Sequence, residues 1–209
     1  MLGRLFQHWV YGGFLAGLAL LVLFPLVAAD WPEPLRLTFL FLPIYMLHQY
    51  EEHDGDRFRR SFNETIGKGR EVLTPAAVFI VNVPGVWGVI IAACYLTAKI
   101  NPGLGLIAVY LAVVNAVAHA GQAIARRAYN PGLITALVVF LPVGAYTLVR
   151  FDALGAGGFV WQCVGLGVAV VIHAVIMVYA TARRRALVKR WDPCGSRTVS
   201  PDSRGGRAP

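Results

Sequence analysis

The sequence predicts an all-α fold, a polytopic transmembrane bundle of about six helices, and three observations carry that reading. Of 209 residues, 57% are hydrophobic and only 14% are Asp, Glu, Lys or Arg, against roughly 25% charged in an average soluble domain. The charges fall between long uncharged runs, several of them 21 to 26 residues long, enough to cross a hydrocarbon core of about 30 Å as a helix. Runs such as Leu15-Ala16-Gly17-Leu18-Ala19-Leu20-Leu21 lack the alternation of polar and apolar residues that a spanning β-barrel needs.

In chain order the expected spans are 9–29, 37–52, 75–98, 104–125, 133–149 and 157–182, forming one transmembrane domain over residues 1–182. The first follows Arg4 and ends in Val27-Ala28-Ala29, which has the look of a signal peptide. Its 21-residue apolar run exceeds the 7 to 15 of a signal core, so it is read as an uncleaved span. The second and fifth contain the shortest uncharged runs, 14 residues from Leu37 to Tyr50 and 17 from Leu133 to Val149. Fourteen residues rise only about 21 Å, so polar groups at the end of the second span are drawn toward the membrane. The tail 183–209 is basic, then rich in Ser, Pro and Gly, and is expected to be disordered.

With six spans and the amino terminus inside, sixteen of the nineteen basic residues fall on one face, and only Arg36, Lys99 and Arg150 on the other. The positive-inside rule then places a multi-pass protein in the cell membrane with both termini cytoplasmic. The basic face suits anionic lipid head groups as partners. No nucleic-acid motif is present, and no nucleic-acid partner is expected. Cys94, Cys163 and Cys194 are odd in number and far apart, which supports neither a disulfide framework nor a zinc knuckle.

The chemistry is concentrated in Tyr45-Met46-Leu47-His48-Gln49-Tyr50-Glu51-Glu52-His53. At about 100° per residue, Tyr45, Glu51 and Glu52 share the face of His48, whereas His53 falls about 140° away and is not expected to join them. In the fourth span Asn115, His119 and Gln122, spaced by four and three, form a polar stripe that should face the bundle interior. Asn82 precedes Pro84 in the third span, and His173 stands alone among aliphatic residues in the sixth. Asn82, His119 and His173 lie at depths on the order of 9 to 14 Å from the inner ends of their spans, which brings His173 to the level of the other histidines. Mixed imidazole and carboxylate sets suit zinc, iron or manganese. The expected ligands of a divalent transition metal are therefore His48, Glu52, His119 and His173, with Tyr45, Asn82, Asn115 and Gln122 in support. Glu51 is expected to act as a general base.

His48-Gln49-Tyr50-Glu51-Glu52 resembles the name-giving motif of the H-x-x-E-E integral membrane protein family, which also carries a further histidine, here best matched by His119, and a Tyr-x-Pro-Gly element, matched by Tyr129-Asn130-Pro131-Gly132. The resemblance runs from His48 to Gly132 and implies an integral membrane metalloenzyme. Tyr129 can then serve as a proton donor or substrate contact; equally, the segment reads as a turn that starts a helix, where proline is well tolerated. The expected activity is hydrolysis or oxidation of a lipid or other apolar substrate. The alternative is a small proton- or cation-coupled transporter using the same His and Glu cluster. The polar stripe stops short of the outer face, which weighs against a through path.

Overall fold

The computed structural model describes residues 2–191. Helices α1 (Leu2–Val27), α2 (Glu33–His53), α4 (Pro75–Lys99), α5 (Pro102–Arg126), α6 (Leu133–Ala153) and α7 (Phe159–Trp191) are the long elements, and α3 (Arg57–Thr65) is a short helix between α2 and α4. The described residues contain no strand. Five of the long helices are apolar enough to cross a membrane, so the chain is a membrane-embedded, multi-pass all-α bundle.

The sixth, α2, is 21 residues long but carries Glu33, Arg36, Glu51 and Glu52. Its place in the bundle explains that composition. It packs against α1, α3, α4, α5 and α6, and Thr38, Phe41, His48 and Gln49 are wholly buried. A helix enclosed by other helices presents little surface to lipid, so its polar groups find protein partners instead. The aliphatic surface turned outward lies elsewhere, as in Leu15, Val22 and Leu26 of α1 and Val171, Val175 and Val178 of α7. Close approach of α1 to α2 depends on Gly17, where a β-carbon would lie 2.9 Å from Met46 Cβ and 3.1 Å from the Pro43 carbonyl. Small residues at such a seam let two membrane helices touch along their backbones.

The helix ends follow local chemistry. Thr74 accepts a hydrogen bond from Ala77 N at 3.2 Å and Pro75 opens α4; Asn101 accepts from Gly103 N at 2.9 Å ahead of α5. Both are the side-chain capping that exposed helix-start N–H groups require. α2 closes at Asp54 and the left-handed Gly55, and α5 at the left-handed Arg127. Inside α4 the residues Val81–Trp87 widen to a π-helix around Pro84, and in α6 Ala136–Phe140 do the same just before Pro142. A proline removes one N–H donor from the ladder, and a π-turn is a common way to absorb that defect, often at functional sites.

One end of the bundle gathers α3, the loop after it and the carboxyl-terminal part of α7: Arg184 donates to Ile66 O at 2.9 Å. The opposite end carries the Glu33–Arg150 ion pair, 2.8 Å at its closest. The tail departs from expectation at its start. Rather than becoming disordered at Arg183, α7 runs on to Trp191, because Arg183 and Arg184 are held by carbonyls of the 66–71 loop. Residues 192–209 lie outside the described part of the chain.

Candidate metal centre

The last turns of α2 meet the carboxyl-terminal part of α5 at the end of the bundle that carries α3. One ligand atom each from His48, Glu52 and His119 lies within 4.8 Å of the other two, and all three residues are buried. Glu52 sits between the imidazoles, with its Oε2 3.7 Å from His48 Nε2 and its Oε1 3.6 Å from His119 Nε2. The rings stand nearly perpendicular with centroids 5.2 Å apart.

What fixes the two rings is the bond made by the other nitrogen of each. His119 Nδ1 is 2.6 Å from Asn130 Oδ1, whose amide nitrogen in turn donates to the His119 carbonyl at 2.9 Å. An amide oxygen only accepts, so His119 carries a proton on Nδ1 and its Nε2 is the nitrogen that faces Glu52. His48 Nδ1 is 2.8 Å from Thr135 Oγ1, and that hydroxyl gives its own proton to Glu51 Oε2 at 2.5 Å. The hydroxyl therefore accepts from His48, whose Nε2 likewise faces Glu52. Ligand histidines are oriented in this way, with the distal nitrogen donating to a fixed acceptor. Asn115 Nδ2 lies 3.3 Å from His48 Nε2, a long contact at the edge of the same space.

Glu51 has a different position from the one expected of a general base. Its Oε1 accepts from Tyr129 OH at 2.9 Å and Ile134 N at 3.1 Å, and its Oε2 from Thr135 N at 2.7 Å as well as from the Thr135 hydroxyl. A carboxylate offers about four lone-pair sites, and here four donors occupy them, so none is left to take a proton from a reacting molecule. Instead Glu51 caps the start of α6 across the bundle, where the exposed N–H groups and the positive end of the helix dipole favour an anion. Tyr129 serves that cap. Burial first, then the Glu51 carboxylate to which it donates, raises the affinity of its phenol for the proton above the ordinary range, so it stays a donor.

The turn before α6 closes the site from above. Gly132 has φ of 95°, and a β-carbon there would lie 2.8 Å from His119 Cε1 and 2.9 Å from His48 Cε1. Tyr129, Asn130 and Gly132 thus touch Glu51, His119 and both imidazoles respectively.

Other residues singled out from the sequence are placed less centrally. Tyr45 is buried but donates to the Leu111 carbonyl at 3.0 Å. Asn82 joins a chain in which Trp87 Nε1 donates to Gln49 Oε1 at 2.6 Å and Gln49 Nε2 to Asn82 Oδ1 at 2.9 Å. His173 does not join the ligand group: its Nδ1 donates to the Ala169 carbonyl of its own helix at 2.8 Å. It and Gln122 instead line a cavity of about 200 Å³ whose wall includes Glu52 and His119 and whose other lining is largely aliphatic. His53, expected to face away, is buried with Nε2 3.1 Å from Glu52 Oε2. Glu52 and His53 are neighbours in sequence, and an angular projection of the helix ignores the reach of their side chains. Gln49 was not singled out either; a glutamine inside an apolar run is the one signal that could have marked it, since such a group needs partners.

Substituting Asn130 by Ala should free the His119 ring to rotate. The expected result is a 10- to 100-fold weaker metal affinity, the usual cost of losing such a partner, measured by competition with a chelator, with helix content unchanged by circular dichroism.

A family model described as "Protein of unknown function with HXXEE motif" matches residues 39–147. No curated protein and no solved structure matches the chain.

Proposed function

The chain belongs to the HXXEE-motif family, and from that premise we propose that it is an integral membrane metalloenzyme acting on a lipid or other apolar substrate. The observation that carries the proposal is the pair of imidazoles on α2 and α5, each locked by Nδ1–H donation and each turning Nε2 toward Glu52. Three donors of this kind suit zinc, iron or manganese and leave a coordination position open. A divalent ion held there would supply Lewis acidity and an activated water, or redox chemistry if iron or manganese were the metal. The protein's share of the work falls to named groups. His48, Glu52 and His119 hold the ion, while Thr135 and Asn130 set the two rings. Glu51 holds Thr135 and the start of α6. The cavity beside the cluster supports an apolar substrate, since most of its lining is aliphatic or aromatic.

The experiment that tests this is elemental analysis of the purified protein alongside two isosteric variants. Glu52→Gln removes a charged ligand and should cost most of the bound metal. Glu51→Gln places an amide N–H₂ against donors of α6, so it should cost about 0.5–2 kcal/mol of stability, as lost caps do, while retaining the three ligands. Wild-type protein that purifies metal-free and gains no thermal stability from added zinc, iron or manganese would turn the reading toward a proton- or cation-coupled carrier.

We further propose that the metal end faces the cytoplasm, with anionic lipid head groups against its arginines, from the division of basic residues between the loops. An impermeant thiol reagent on intact cells should leave Cys194, beyond the described residues, unlabelled; labelling would invert the orientation.

A further inference from the structure

The loop that follows α3 runs against α7, and between them lies an open cleft of about 530 Å³ lined by Lys68, Gly69, Arg70, Glu71, Arg183 and Leu187. Its walls are fastened. Asn63 holds the loop from within: its amide donates to the Leu73 carbonyl at 2.9 Å, and its Oδ1 accepts from Val72 N at 3.0 Å and Leu73 N at 2.9 Å. Val72 and Leu73 are buried and anchor the end of the loop in the bundle, while Arg184 straps α7 to the Ile66 carbonyl at 2.9 Å. The turn is tight enough that a β-carbon on Gly67 would collide with the Asn63 carbonyl. Lys68 next takes a left-handed backbone with φ of 53°, which is costly for a residue with a β-carbon and open to glycine. A lysine thus stands where the local geometry favours glycine.

The charges lining the cleft do not cancel. Its one carboxylate, Glu71, is paired with Arg59 at 2.6 Å, outside the lining. Among the described residues no carboxylate forms an ion pair with Lys68, Arg70 or Arg183. Arg183 reaches only the Glu71 carbonyl at 3.4 Å and the Tyr179 hydroxyl at 3.3 Å, and Arg70 is half-buried. Three cations around one cleft suit an anion with several oxygens, and phosphate answers them with charge-assisted hydrogen bonds.

The α7 wall indicates what would carry that phosphate. Val175, Tyr179 and Arg183 follow at intervals of four, within about 80° of one another around the helix. Val175 is 61% and Tyr179 41% exposed. Over about 12 Å of helical rise the strip passes from aliphatic to tyrosine to arginine, the order of acyl chain, interface and head group in a bilayer leaflet, where tyrosine favours the boundary.

We infer that the cleft binds the phosphomonoester head of a bilayer lipid, with Lys68, Arg70 and Arg183 around the phosphate and an acyl chain along Tyr179 and Val175. A monoester carries about 1.5 to 2 negative charges at neutral pH and three acceptor oxygens, more than the phosphodiester of an ordinary phospholipid. This rests on the reading of anionic head groups at this end given above, and narrows it to one cleft and one charge class.

The test is lipid retention by the full chain in detergent, read by native mass spectrometry, with the dioleoyl forms of phosphatidic acid, phosphatidylglycerol and phosphatidylcholine as probes. Phosphatidic acid should be retained about fivefold better than phosphatidylglycerol, the effect of one further charge among surface cations. Lys68→Gln/Arg70→Gln should lower its retention about tenfold or more, whereas Lys68→Arg/Arg70→Lys, which keeps both charges, should retain most of it. Arg4→Gln/Arg126→Gln removes the same charge from two exposed residues outside the cleft and should change nothing. Inorganic phosphate in large excess should fail to displace the lipid, because it lacks the apolar contact of the chain; displacement would make the cleft a site for a soluble phosphate and overturn the lipid assignment. Equal retention of the two anionic lipids, equal losses in the two charge-removing variants, or an equal loss in the charge-keeping one overturns the cleft and leaves the general reading of anionic head groups standing. Phosphatidylcholine retained as well as both anionic lipids removes the two together.

Discussion

Alanine at His119 is expected to yield protein that purifies with little metal and unfolds at the same temperature with or without a chelator. An ion held by His48, Glu52 and His119 would join α2 to α5, and any ligand that binds only the folded state adds RT ln(1 + [L]/Kd) to stability, about 2.7 kcal/mol at a hundredfold excess over Kd. A chelator should therefore lower the wild-type melting temperature by several degrees and leave His119→Ala where it was. His48→Ala should behave alike, with a further loss because Thr135 and Asn115 both lose a partner. A wild-type melt that a strong chelator does not move, in protein shown by elemental analysis to have carried metal, would mean that the ion does not bridge the two helices.

Gly132→Ala should be nearly as damaging without touching a ligand. The backbone there has φ of 95°, a region that costs a residue with a β-carbon roughly 1–3 kcal/mol. The new methyl group would also press on both imidazoles at under 3 Å, and overpacking of that kind adds roughly 1–3 kcal/mol. The rings cannot retreat, because Asn130 and Thr135 hold their far sides. Thermal unfolding in detergent together with metal content should show both falling. A variant with wild-type stability would show that the 129–132 turn can shift away from the cluster.

The helical bundle was legible because a membrane span needs about 20 apolar residues in a row, a requirement written directly in the chain. His48 with Glu52 followed from the helical period, and His119 from the polar stripe on α5. His173 was misplaced because depth is one coordinate of a helix position and rotation about the axis is another; equal depth brought it to the cavity wall but not to the ligands. The capping role of Glu51 could not be read locally. Helix-start signals are sought within a few residues of the first turn, and this cap lies more than eighty positions before the helix it serves. The bridge from Trp87 through Gln49 to Asn82 was hidden for the same reason, since its partners come together only when α4 packs on α2.

The turn from Tyr129 to Gly132 also dictates when the site can exist during synthesis. A nascent chain that has emerged as far as Arg127 already contains His48, Glu52 and His119, yet it lacks Asn130, Thr135 and the start of α6, the groups that aim both imidazoles. Until α6 is inserted, Glu51 is an ionised side chain at the end of a membrane helix with no helix start to cap. Loading with metal would then be a late event in biogenesis, gated by insertion of α6, the fifth of the six long helices, rather than by synthesis of the ligands themselves. A ribosome stalled before that point would hold a chain with every ligand and no centre.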